Sequence, residues 1–132
     1  MKVLHIGCLV EKMSESIEEY KKLGFELIGD TIVNGDSGII GQYMHNGDTV
    51  IELLTPVDEK SKIYSILKKQ GSSLHHICYG SDDFINDIKT MRKRGYIIIS
   101  KEEKTNENNH NSAMLYNTHL GLIELFDINQ NS

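Results

Sequence analysis

Two histidines and two glutamates stand inside largely apolar runs of this 132-residue chain: His5 in residues 3–10, His76 in 74–79, Glu52 in 48–54 and Glu124 in 120–127. A carboxylate buried without compensation is costly or takes up a proton, so something must balance it. Two imidazoles and two carboxylates make a borderline nitrogen and oxygen set suited to one divalent ion (Ni, Co, Mn, Zn or Fe), with positions left for water or substrate. Such an ion polarises a carbonyl, and a nearby carboxylate then moves the proton beside it. The plainer alternative makes the histidines hydrogen-bonded core residues and turns the glutamates to solvent. For one residue alone the plainer reading is the better one, but a repeat relates all four and favours the metal.

The repeat is read from three matches. Leu4-His5-Ile6-Gly7 recurs as His75-His76-Ile77-Cys78, Gly24-Phe25 as Gly95-Tyr96, and Ile51-Glu52-Leu53-Leu54 as Ile123-Glu124-Leu125-Phe126, at offsets of 71, 71 and 72 residues. A shared offset marks an internal duplication. In the first copy, residues 3–10 read as a buried strand. A helix follows, with Ser14 or Ser16 as its cap, Ile17, Tyr20 and Leu23 on its inner face, and Gly24 ending it. Strands are predicted at 25–33, 39–45 and 48–54, with an Asn46-Gly47 hairpin turn. The second copy repeats this βαβββ order: strand 74–79, a helix over 83–94 with Ile85, Ile88 and Met91 inward, then strands at 96–100, 112–116 and 120–127. Module one spans about 3–54, a connector with a short helix 55–73, and module two 74–127, all within one domain of residues 1–132. Residues 101–111 read as a polar, exposed loop.

If each strand alternates, His5 shares a face with Val3 and Gly7, His76 with Leu74 and Cys78, Glu52 with Val50 and Leu54, and Glu124 with Leu122 and Phe126. Faces curving toward a common interior would bring the four together. His75 points the other way, and His45, His110 and His119 fall at strand ends or in loops, although His110 could touch substrate. Cys8 and Cys78 have neither the number nor the spacing of a disulfide framework and read as apolar fillers. The basic cluster Lys89, Arg92, Lys93 and Arg94 reads as a solvated helix end.

Composition narrows the partners. With 19 Asp and Glu against 14 Lys and Arg, the net charge of -5 opposes attraction to nucleic acid or anionic lipid. No run approaches a spanning helix and no export signal is read, so a cytoplasmic protein is expected.

The tandem βαβββ units with His, Glu, His and Glu at these places resemble the vicinal oxygen chelate superfamily, which includes glyoxalase I, methylmalonyl-CoA epimerase, extradiol dioxygenases and antibiotic-resistance proteins. The carriers of the resemblance are Leu4-His5-Ile6-Gly7, the stretch from Gly47 through Glu52 to Pro56, Leu74-His75-His76-Ile77, and Gly121-Leu122-Ile123-Glu124-Leu125. It implies an α+β fold in which the modules form a partly open, curved mixed β-sheet barrel with helices outside. It also implies that His5, Glu52, His76 and Glu124 bind the metal, with Glu124 first and Glu52 second as the proton-moving group.

The resemblance favours a glyoxalase I-like lyase, because some epimerases have Gln where Glu52 stands. A methylmalonyl-CoA epimerase-like isomerase is the alternative, and a non-catalytic binding or resistance protein a further one. An extradiol dioxygenase is disfavoured because the fourth protein ligand fills a position that dioxygen or catechol needs. The substrate is expected to be a small molecule, a thiol adduct or thioester, and the protein a homodimer. Both arginines lie on the second helix, and Gly41 stands where one epimerase type carries an acidic base. Gln42, Asn111 or Lys104 is left as a polar substrate contact.

Overall fold

The opening aliphatic run forms β1 (Lys2–Leu9), followed by α1 (Met13–Lys22), β2 (Glu26–Asn34), β3 (Ile39–Asn46) and β4 (Thr49–Pro56). A short α2 (Tyr64–Gln70) leads to β5 (Ser73–Ser81), after which α3 (Phe84–Lys93), β6 (Ile97–Glu102), β7 (Ser112–Asn117) and β8 (Gly121–Asp127) repeat the order. The computed structural model describes residues 1–102 and 110–129. The fold class is α+β with tandem βαβββ modules, and the chain separates into two compact units, residues 5–75 and residues 1–4 with the chain from 76 onward. Most of the expected loop 101–111, including Lys104, lies outside the described residues; Lys101 and Glu102 extend β6.

Each module carries a mixed four-stranded arrangement. In the first the order is β2-β3-β4-β1, with β1 parallel to β4 and β3 antiparallel to both its neighbours. The second has the order β5-β8-β7-β6, with β5 parallel to β8 and β7 antiparallel to both neighbours. One face of each four-stranded arrangement is covered by that module's long helix. Cys8, Val10, Met44, Ile51 and Leu53 pack with Met13, Ile17 and Tyr20 of α1. Ala113, Leu115, Ile123 and Leu125 pack with Phe84, Ile88 and Met91 of α3. Each buried Val, Leu, Ile, Met or Phe among these contributes about 1.5–3 kcal/mol, which fixes the strand register because a one-residue slip would expose the whole set.

The two helices use equivalent stripes, and both correct the sequence reading. Leu23 is 69% exposed and Ile85 70% exposed. The inner positions are Met13, Ile17 and Tyr20 in α1 and Phe84, Ile88 and Met91 in α3, which match one to one at the 71-residue offset. Spacing of four and then three keeps these on one face, whereas Ile85 is one residue, about 100°, around from Phe84. Ser14 and Ser16 are not caps: α1 begins after Lys12 with no side-chain cap, and the Ser14 hydroxyl donates to Glu15 Oε1 at 3.4 Å.

The helix ends are duplicated as well. The Gly24 N–H donates to the Lys21 carbonyl and the Phe25 N–H to the Tyr20 carbonyl; Gly95 to Arg92 and Tyr96 to Met91 repeat the pair. Both glycines hold positive φ, 98° and 92°, as this Schellman-type closure requires. The hairpin turn falls one residue later than expected. Asn46 pairs with Thr49, so Gly47 and Asp48 form the loop, with Gly47 at φ 58°.

Beneath α1 the Tyr20 hydroxyl hydrogen-bonds the Cys8 thiol; burial pushes the thiol up from its ordinary value, and burial first, with Cys8 second, pushes Tyr20 up to about 12. An unfolded tyrosine ionises near pH 10 while the folded one keeps its proton, so the folded state holds more protons and loses stability as pH rises from about 10 to 12. Tyr20→Phe is expected to flatten that part of the alkaline unfolding curve, measured by denaturant melts at pH 9 to 12. A slope equal to that of the unsubstituted protein would contradict this account. Among the described residues, no helix is long and apolar enough to cross a membrane.

Candidate metal centre

The alternation that sends Ile51 and Leu53 beneath α1 sends Glu52 to the other face of the sheet, and Ile123 and Leu125 do the same for Glu124. In module one, Gly7 pairs with Glu52 across the parallel β1–β4 ladder. His5 lies two residues earlier on that face, with Nε2 3.4 Å from Glu52 Oε1 and side-chain exposures of 8% and 18%. Tyr43, opposite Glu52 on β3, sets its ring edge against the His5 imidazole at 5.3 Å between centroids and 78°.

Module two rebuilds the pair with different neighbours. Cys78 is paired with Glu124 across β5 and β8, and His76 again lies two residues earlier. His76 Nε2 is 3.2 Å from Glu124 Oε1, with exposures of 4% and 19%. Met114 of β7 takes the place opposite the carboxylate that Tyr43 has in the first module. The glutamates therefore do not face out from the helix side. Each imidazole nitrogen points at a carboxylate oxygen in a largely buried setting, where a shared cation would balance the carboxylate charge. A nitrogen and oxygen donor set of this kind fits a borderline divalent ion.

The remaining expected contacts are placed as follows. Gln42, expected as a substrate contact, pairs with Leu53 and so lies on the helix side, opposite to Glu52. Its Oε1 accepts from Thr31 Oγ1 at 2.7 Å, and its Nε2 donates to the carbonyls of Ile28, Gly29 and Tyr43 at 3.3, 3.2 and 3.0 Å. It holds the bend where the β2–β3 register shifts between Ile28 and Ile32. Asn111 donates from Nδ2 to Asp127 Oδ2 at 3.2 Å and accepts the Asp127 N–H on its carbonyl, which ties the start of β7 to the end of β8.

His110 lies on the Glu124 side of the second module. Its ring lies over Phe126 at 4.8 Å, two residues along β8 from Glu124 on the same face, and its Nε2 is 3.6 Å from Glu102 Oε2. Sequence reasoning missed Tyr43 and Met114 as the residues opposite the glutamates. Their signal was available once the Gly47-Asp48 turn, and with it the register of β3 on β4, is counted correctly.

A family model described as the Glyoxalase/Bleomycin resistance protein/Dioxygenase superfamily matches residues 5–114. The chain is 30% identical over 104 residues to a mitochondrial methylmalonyl-CoA epimerase of Dictyostelium discoideum, a match that takes in 78% of this chain and 63% of that protein. The crystal structure of methylmalonyl-CoA epimerase from Mycobacterium tuberculosis shares the fold, with a TM-score of 0.82 at 24% identity over 96% of this chain and 87% of that one. A Streptomyces coelicolor methylmalonyl-CoA epimerase variant, in complex with 2-nitronate-propionyl-CoA, matches with a TM-score of 0.81 at 25% identity over 96% of this chain and 94% of that one.

Proposed function

The chain belongs to the glyoxalase/bleomycin resistance protein/dioxygenase superfamily, and from that premise we propose that it is a metal-dependent epimerase of a small branched acyl-CoA thioester, with methylmalonyl-CoA the first candidate. The observation that carries this is the duplicated pair: one carboxylate per module, each 3.2–3.4 Å from a buried imidazole at the same register position. Inverting a carbon centre needs a proton removed from one side and another delivered from the opposite side, hence two proton-moving groups. One per module meets that need. The relatives named above are epimerases, so the glyoxalase I-like reading gives way to the epimerase one.

In this reading His5, Glu52, His76 and Glu124 would hold one divalent ion. When bound, the ion supplies Lewis acidity toward a thioester carbonyl, lowering the barrier to proton removal at the neighbouring carbon. Glu52 and Glu124 exchange roles as proton acceptor and donor according to which epimer enters. His5 and His76 keep their Nε2 atoms turned toward the carboxylates and, lying within rigid strands, limit where those carboxylates can sit. The buried aliphatic rows on either side of each glutamate exclude water from the helix-side face of the strand, which strengthens the local electrostatics. The His110 ring, lying over Phe126, is the candidate polar contact for the substrate at the second module, while the Asn111 side-chain amide is turned to Asp127.

The test is to purify the protein, determine its metal content, reload it with Co, Ni, Mn or Zn, and follow interconversion of (2R)- and (2S)-methylmalonyl-CoA. Metal-dependent interconversion is expected. Turnover of a methylglyoxal hemithioacetal instead would restore the lyase reading, and protein that takes no ion at saturation would favour a binding module. We read the protein as a homodimer, and the sedimentation mass of the same preparation distinguishes one chain from two.

A further inference from the structure

Gly41 of β3 has no backbone reason to be glycine, since its φ lies outside the left-handed region that the other turn glycines occupy. A glycine inside a strand weakens it and often marks a close approach. What distinguishes this position is space. Gly41 pairs with Leu54 and is therefore on the face that carries Glu52, diagonal to it across β3 and β4. Diagonal neighbours on one face are within reach of each other's side chains. A Cβ built on Gly41 stands 3.3 Å from Glu52 Oε2, 3.8 Å from Leu54 Cδ2 and 3.9 Å from the Leu53 carbonyl oxygen. The other carboxylate oxygen, Oε1, is the one 3.4 Å from His5 Nε2.

The Glu52 carboxylate thus lies between an imidazole at one oxygen and bare β3 backbone at the other. A methyl group on residue 41 would press on Oε2, so the carboxylate would have to give by a few tenths of an ångström, and a shift of the carboxylate moves Oε1 relative to His5. The second module keeps the equivalent position small: Ser112, buried at 4% exposure, stands opposite Phe126 as Gly41 stands opposite Leu54. A small residue diagonal to the glutamate is thus common to both halves.

We propose that Gly41 is a positioning residue for Glu52: its missing side chain reserves the volume for the second carboxylate oxygen, so that the first keeps its place beside His5. This rests on Glu52 being a metal ligand and proton-moving group, and the experiment separates the two ideas. The unsubstituted protein is titrated first with cobalt(II), followed by calorimetry and the visible absorption band. No binding there sinks the site reading, whatever Gly41 does.

Given binding, Gly41→Ala is expected to weaken cobalt affinity about tenfold, the scale for disturbing a ligand's support. The absorption band should shift, and kcat should fall with KM little changed. The melting temperature of the metal-free protein should hold or rise, because alanine restricts the unfolded chain. Glu52→Asp withdraws the carboxylate by one methylene, so adding Gly41→Ala to it should change affinity less than about twofold. Wild-type affinity, band and turnover in Gly41→Ala would overturn the proposal. So would an equal loss in both backgrounds, since the effect would then not travel through Glu52. If Gly41→Ala fails to fold, the Glu52→Asp background decides: recovery of folding there supports the carboxylate clash, and failure in both makes the position merely structural and overturns the proposal.

Discussion

His76→Ala is expected to lower divalent-metal affinity by more than about 100-fold, because even support residues behind a ligand are worth 10- to 100-fold. His5→Ala should do the same to a similar degree, since the two histidines hold the same register relation to their glutamates. Isothermal titration with cobalt, nickel and zinc, set beside epimerisation rates, checks both. The side chains are only 4% and 8% exposed, so each truncation also leaves a glutamate with less compensation for its buried charge. Metal-free stability therefore has to be measured on the same variants. One ion bound at unchanged affinity in either variant would remove that histidine from the centre.

A larger effect on turnover is expected at the carboxylates. Glu52→Gln and Glu124→Gln keep the shape and an oxygen ligand but lose the basicity, and each should reduce epimerisation by about 10²–10⁴. The decisive readout is isotope exchange in heavy water with metal occupancy verified. With one proton-moving group left, each variant should still wash deuterium into the reacting carbon of one epimer and not the other, and the two variants should choose opposite epimers. Full turnover in both would exclude the glutamates from proton transfer. Loss of exchange for both epimers in one variant would point to a single base.

The module order, and the presence of one histidine and one glutamate in each copy, were legible because His5, Glu52, His76 and Glu124 interrupt apolar strands at a nearly constant offset; that each histidine lies against the glutamate of its own copy follows from the strand register. Local geometry was less so. Aliphatic spacing of three, which puts Ile85 and Leu23 inward, fits a helix face as well as spacing of four does. Only packing against Leu125 or Leu53 decides which set is covered. Had the 71-residue offset been applied inside the helices, Met13 and Phe84 would have been found together. The polarity of Gln42 suggests a ligand contact, while the parity of β3 puts it with Met44 and Leu53 on the face that α1 covers. Its amide is used there by the β2 bend, a feature that no local motif announces.

Tyr43 lies across from Glu52, whereas Met114 lies across from Glu124. Gene doubling thus preserved the donors and let the furniture around them drift apart. In the proposed epimerisation, proton transfer at Glu52 would take place beside a phenol and proton transfer at Glu124 beside a soft thioether, so the two transfers need not share a barrier. The asymmetry should surface as primary kinetic isotope effects that differ between the forward and reverse directions, and swapping the two residues should exchange which direction shows the larger one.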